Sequence, residues 1–176
     1  MVIEVLQKVD WTEKHILVAC SGGVDSMVLL QGLLAIGLKP DVMHVNYGLR
    51  GAESDADEEL VVDVARANGV NVQVFHCPVE LTKQSGINLQ AAARTFRRKH
   101  FQQWIAQSPN HVVVLAHHAN DQVETFFLQL YRGSGTFGLG GMHPERGQLI
   151  RPFLETKKTD LIAYAIENKV QWREDK

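Results

Sequence analysis

His15-Ile16-Leu17-Val18-Ala19-Cys20-Ser21-Gly22-Gly23-Val24-Asp25-Ser26 is the stretch from which the fold can be read. Its first half is an apolar run of strand length, and its second half is a glycine turn with a helix opening near Asp25 and Ser26. A strand that passes through Gly22-Gly23 into a helix gathers backbone N–H groups and the positive end of a helix dipole at one point, and such a point binds anions. Gly22 and Gly23 permit positive φ and close approach of backbone to a phosphate, while the Ser21 and Ser26 hydroxyls add hydrogen bonds. The chain has no G-x-x-x-x-G-K-[ST] loop, and no dinucleotide fingerprint joins this strand to this helix. Neither of the two common nucleotide motifs therefore accounts for the turn.

Outward from this turn the same rhythm continues. Apolar runs at His15–Cys20, Asp41–Tyr47, Asn71–Cys77 and Val112–His117, with a weaker one at Leu149–Phe153, predict strands. Helical periods at Ser26–Ile36, Asp55–Asn68, Asn88–Gln107, Asp121–Arg132 and Thr159–Asn168 predict helices, with Gly37, Gly69 and Gly133 where C-terminal caps are favoured. Alternating strand and helix predicts an α/β fold: an open, mainly parallel five-stranded sheet with helices on both faces, Rossmann-like in plan. The stretch from Gly133 to Gly147 holds six glycines and reads as a long loop of functional kind.

Composition narrows the class. With 176 residues, 45% hydrophobic and 22% charged, the chain fits one soluble globular domain. Met27 to Leu38, the longest apolar stretch, is too short to span a bilayer, and no secretory signal opens the chain, so a cytoplasmic protein without membrane contact is expected. Cys20 and Cys77 read as two reduced thiols. A formal charge of −2 argues against an overall basic nucleic-acid binder, so any grip on RNA is local or lies outside this chain.

Further clusters carry chemistry. Asp121 and Glu124, three apart at a predicted helix start, share one face as a pair of carboxylates of the kind used in acid–base work. On the helix Asn88–Gln107, Leu89, Ala93, Phe96 and Trp104 form an apolar stripe with Arg94, Arg97 and Arg98 beside it, and such guanidinium groups suit phosphate oxygens. His117 and His118 lack partners at a zinc-like interval and read as hydrogen-bonding or packing residues.

Ser21–Ser26 resembles the signature of the PP-loop ATPases, which split ATP between the α and β phosphates, and the resemblance implies ATP and Mg²⁺, with Asp25 as metal ligand. Val45-Asn46-Tyr47-Gly48-Leu49-Arg50-Gly51, Ala91-Ala92-Ala93-Arg94, His117–Thr125 and Arg132-Gly133-Ser134-Gly135 are similar to the tRNA(Ile)-lysidine synthetase family. So are Gly138–Met142, Ile150-Arg151-Pro152 and Trp172–Asp175, which extends the likeness over nearly the whole chain. This resemblance implies ligation of free L-lysine to carbon 2 of the wobble cytidine in an isoleucine tRNA with a CAU anticodon, through an adenylated cytidine. It implies a nucleotide site at Ser21, Gly22, Gly23, Val24, Asp25, Ser26, Val45 and Asn46. It makes Asp25, Arg94, Arg97, Asp121 and Glu124 catalytic, and gives His118, Asp121, Glu124, Arg132, Gly133, Ser134 and Gly135 to lysine or tRNA. A lysine amine of pKa about 10.4 is neutral roughly once in 2,500 molecules at pH 7, a deficit of about 4.6 kcal/mol that the Asp121–Glu124 pair is placed to address. The family usually carries a second aspartate where this chain has Asn120. The resemblance further implies a catalytic N-terminal domain, residues 1–176, truncated before tRNA-binding domains, and allows a homodimer of the full-length protein. The rival readings are a PP-loop tRNA thiolase, disfavoured because Cys20 and Cys77 form no C-x-x-C, and a nucleotide-binding module without chemistry.

Overall fold

Alternate residues of the first strand go to opposite sides, and this divides the core. In the computed structural model, which describes residues 1–78, 89–131 and 140–174, strand β1 (His15–Ala19) sends Ile16 and Val18 into one hydrophobic cluster and Leu17 into another. Strand β4 (His111–Val114) does the same with Val112 and Val114 against Val113. Strands β2 (Asp41–Asn46) and β3 (Val72–His76) complete the central parallel set, and a hairpin of β5 (Glu145–Arg146) and β6 (Leu149–Ile150) closes one edge. The order is β3-β2-β1-β4-β6-β5, parallel throughout except for the β5–β6 pair.

The larger cluster is covered by α1 (Val2–Gln7), α2 (Val24–Ala35), α3 (Ala52–Ala67) and α6 (Lys158–Glu167), which contribute Leu6, Leu30, Val61 and Leu161 to it. On the other side α4 (Leu89–Ile105) seats Phe101, Trp104 and Ile105 against Leu17, Met43 and Val113. Helix α5 (Ala119–Tyr131) has no buried residue and exposes Val123, Phe126, Phe127, Leu128, Leu130 and Tyr131. No helix among the described residues is long and apolar enough to cross a membrane.

The expected five-stranded parallel sheet is present as an α/β sheet of six strands: of the predicted Leu149–Phe153 strand only Leu149–Ile150 is strand (β6), and the preceding Glu145–Arg146, joined to it through a turn at Gly147 (φ +59°), adds the antiparallel sixth. Residues 152–155 turn instead of continuing it. Helix α1 is an addition to the sequence reading. It packs so closely on α2 that a Cβ at Gly32 would stand 2.6 Å from a Leu6 methyl, which explains a glycine in the middle of a helix. Gly37 and Gly69 follow helix ends at φ +85° and +62°, as expected of C-terminal caps, while Gly133 lies outside the described residues. The stripe on α4 is corrected to Phe101, Trp104 and Ile105; Phe96 instead sets its ring edge-on to His100 at 4.7 Å, and the side chain of Leu89 lies outside the described residues.

Candidate active site

From β1 the chain moves through α2 to β2 and through α3 to β3, then returns to the opposite side of β1 as β4. The carboxyl ends of β1 and β4 therefore flank a switch point, the place in an open parallel sheet where the two flanking loops diverge and leave a crevice. Cys20–Ser26 follows β1 and His117–Asp121 follows β4, so topology brings the two sequence clusters together. A cavity of about 200 Å³ opens there, lined by Ser21, Asp25, Ser26, Val45, Tyr47, Arg97, His117 and Asp121 among others.

The turn after β1 is held by its own serines. Ser26 Oγ accepts the Ser21 N–H at 3.1 Å and donates to the Gly23 carbonyl at 3.0 Å, and the two serine hydroxyls lie 3.2 Å apart. Gly22 sits at φ +92°, and a Cβ there would come 3.3 Å from Asp57 Cβ and the Asp57 carbonyl, so conformation and space both call for glycine. The first amides of α2 have no intrahelical acceptor by the geometry of a helix start, and they open next to the crevice. Cys20 lies beneath, its thiol directed at Ser26 Oγ and Met27 Sδ; burial pushes its pKa up to about 11. Cys77 is also free, buried and raised by burial.

Asp25 and Asp121 meet around one imidazole. His118 is buried, with Nε2 3.5 Å from Asp25 Oδ2 and Nδ1 3.4 Å from Asp121 Oδ2. Asp121 Oδ2 also accepts the His118 N–H at 2.8 Å, which fixes the start of α5. Lys158, in the first turn of α6, brings its ammonium 3.8 Å from Asp25 Oδ2. The other oxygen, Asp25 Oδ1, is buried without a hydrogen-bond partner among the described residues.

Arg97 reaches the cavity from α4, its guanidinium 6.0 Å from the Phe101 ring, and Arg94 sits one turn earlier and exposed. Burial first, then the positive charges of Arg151, Arg97 and Arg94 against the pull of Asp121, holds His117 down to about 4, so it is a neutral imidazole at pH 7. Its Nδ1 is buried with no hydrogen-bond partner among the described residues. Tyr47 ties the end of β2 to α4, its hydroxyl donating to the Ala93 carbonyl at 3.4 Å.

The remaining residues singled out from the sequence divide cleanly. Val45 lines the cavity, whereas Asn46, at the end of β2, is engaged with α3 and the following turn: its side-chain amide donates to Asp55 at 3.1 Å and Glu58 at 2.8 Å, and its side-chain carbonyl takes the Gly48 N–H at 2.8 Å. Glu124, one turn beyond Asp121, is exposed and is not among the lining residues. Arg132, Gly133, Ser134 and Gly135 lie outside the described residues. Asn120 is not among the lining residues; its side-chain oxygen accepts the Lys158 N–H at 3.2 Å, capping α6. Lys158 and Tyr47 were not singled out as site residues, and a lysine on an otherwise ordinary helix start carries no sequence signal.

A parallel sheet with an anion-binding strand–glycine turn–helix at its switch point defines a nucleotide-binding α/β domain. The chain belongs to the PP-loop domain family, whose model matches residues 2–176, and membership implies ATP as the nucleotide. Among its relatives are the tRNA(Ile)-lysidine synthase of Solibacter usitatus, 38% identical over 92% of this chain and 36% of that protein, and that of Bacillus licheniformis, 37% identical over 88% and 34%. The chain thus spans about a third of the length of these curated relatives. Among solved structures, the U34-tRNA thiolase NcsA from Methanococcus maripaludis shares the fold with a TM-score of 0.78 at 16% identity, over 98% of this chain and 65% of that one.

Proposed function

We propose that this chain is the ATP-dependent catalytic portion of a tRNA(Ile)-lysidine synthetase. It joins free L-lysine to carbon 2 of the wobble cytidine of a CAU-anticodon isoleucine tRNA and releases pyrophosphate and then AMP. The observation that carries the reading is the convergence of the Ser21–Ser26 turn, the Asp25–His118–Asp121 cluster and Arg97 on one cavity. A bare phosphate site would need only the turn. Relatives bearing the lysidine synthase name support the choice of substrates.

In this proposal the loop amides hold the pyrophosphate end of ATP, and Lys158 supplies the cation that the loop sequence itself lacks. Asp25 fits a hard divalent cation, because Oδ1 is a buried carboxylate oxygen without a hydrogen bond among the described residues, beside the phosphate-binding amides. Bound there, Mg²⁺ would neutralise phosphate charge. Arg97, with Arg94 behind it, faces the negative charge that builds at the α-phosphate while the cytidine oxygen attacks. Asp121 then holds the lysine ammonium and takes its proton before the amine displaces AMP, with Glu124 one turn further out on the approach side. The neutral His117 adds an uncharged hydrogen-bonding group that does not repel that ammonium.

The tRNA contacts of this chain are confined to the rim of the cavity in this reading, consistent with a net charge of −2. In this proposal the protein acts on tRNA in the cytoplasm, and a homodimer of the full-length protein is compatible with the scheme. Sulfur transfer is disfavoured because the chain has two cysteines, both buried with raised thiol pKa. The test is pyrophosphate and AMP release by the full-length protein with unmodified tRNA. Pyrophosphate release should require the tRNA and Mg²⁺, AMP release should require lysine, and Cys20→Ser/Cys77→Ser should keep both. Adenylation that ignores lysine would redirect the reading to another nucleophile.

A further inference from the structure

At the phosphate turn, among residues that do not line the cavity, the chain returns from far along the sequence. The Arg173 N–H donates to the Gly22 carbonyl at 3.0 Å. Its guanidinium reaches α3, where Nε donates to Asp57 Oδ1 at 2.9 Å and a terminal nitrogen pairs with Glu53. Asp57 is buried and also receives Arg50 at 2.6 Å on its other oxygen. It lies against Gly22, closely enough that a side chain there would touch its Cβ and carbonyl. Trp172, next to Arg173, packs against the main core and gives the segment a fixed base.

We propose that Arg173 is a positioning residue for the phosphate-binding turn, acting through Asp57 and the Gly22 carbonyl; this rests on the reading of that turn as the site of the nucleotide phosphates. The peptide between Gly22 and Gly23 is trans, so a carbonyl held back by Arg173 points the Gly23 N–H in the opposite direction within the peptide plane, toward the Ser21 hydroxyl, to which it donates at 3.3 Å. Glycine at φ +92° is flexible enough to lose this orientation if the carbonyl is released. The guanidinium does a second job. Asp57 is a carboxylate directly beneath a turn that must attract phosphate, and two arginines neutralise it there. A planar guanidinium that engages Asp57 and Glu53 together fixes the direction of its own backbone, which a lysine ammonium cannot do as well.

The experiment is calorimetric titration of the full-length protein with ATP, inorganic pyrophosphate and adenosine, for wild type, Arg173→Met, Arg173→Lys, Glu53→Gln and Asp57→Asn/Arg173→Met, with thermal unfolding of each. Arg173→Met should weaken ATP and pyrophosphate about tenfold and leave adenosine unchanged. Arg173→Lys should recover part of the loss, and Glu53→Gln should cost about twofold. The double variant should bind pyrophosphate at least as well as Arg173→Met, because the uncompensated carboxylate is gone. Pyrophosphate binding unchanged in Arg173→Met, or in both Arg173→Lys and Glu53→Gln should Arg173→Met not fold, overturns the proposal. So does a loss of ATP and adenosine in equal proportion that follows the fall in unfolding temperature. A wild type that binds neither ATP nor pyrophosphate overturns the nucleotide reading itself, and that result is separate from any comparison of variants.

Discussion

Asp25 stands at the meeting point of three positions far apart in the chain: the start of α2, His118 and Lys158. Replacing it with asparagine removes the charge that faces the ammonium and the oxygen suited to a cation while keeping the shape. Asp25→Asn should therefore lower kcat/KM for ATP-dependent pyrophosphate release by roughly 100-fold or more with little change in unfolding temperature. Asn120 sets a contrast. Its side-chain oxygen caps α6, so Asn120→Ala should cost about 1 kcal/mol of stability in denaturant titration, whereas Asn120→Asp should keep the cap and change the lysine KM little. His117 gives a pH signature. Folded His117 resists protonation down to about 4, while the unfolded imidazole takes a proton near its ordinary value of 6.5. The unfolded state thus binds more protons between those values, so stability is full above about pH 6.5 and falls as pH drops toward 4, by up to about 3 kcal/mol. His117→Gln should lack that acid-side loss when denaturant midpoints are compared at pH 7 and pH 5. The loop serines and glycines were legible because backbone chemistry dictates them; Lys158 was not, because only tertiary packing brings α6 beside Asp25.

At the scale of elements, the central strands were legible as apolar runs of strand length, whereas the register of β1 against β4, with Ile16 opposite Val112, is not written in such continuous runs and comes from the fold. Helix α1 escaped because six residues are too few to show a helical period, and its helical state depends on Val2 and Leu6 burying against α2. Strand β6 was legible as the start of the Leu149–Phe153 run, whereas β5 escaped because a two-residue strand has no period at all. On α4 the stripe was displaced toward the C-terminal half, where Phe101 is the buried anchor. That anchor sets the position of Arg97 one turn before it. Phe101→Ala should cost about 3–5 kcal/mol in denaturant unfolding and also raise the ATP KM, the second effect being the mark of a misplaced Arg97.

Over the whole molecule, the strand order gathers the loops after β1 and β4 at one crevice, and no local pattern in the sequence states that order. The chemistry of the crevice was legible in pieces; that His118 bridges Asp25 and Asp121 is a product of the fold. A chain with net charge −2 offers few phosphate contacts. Residues 1–176 alone should therefore bind tRNA weakly and with strong salt dependence. Filter binding across a salt series checks both. The most direct measurement is transfer of labelled lysine by the full-length protein to unmodified CAU-anticodon isoleucine tRNA in the presence of ATP and Mg²⁺. The account predicts label retained in the tRNA at the wobble cytidine, one AMP released per lysine, and loss of transfer in Asp25→Asn; tRNA-dependent pyrophosphate release with no lysine retained would contradict it.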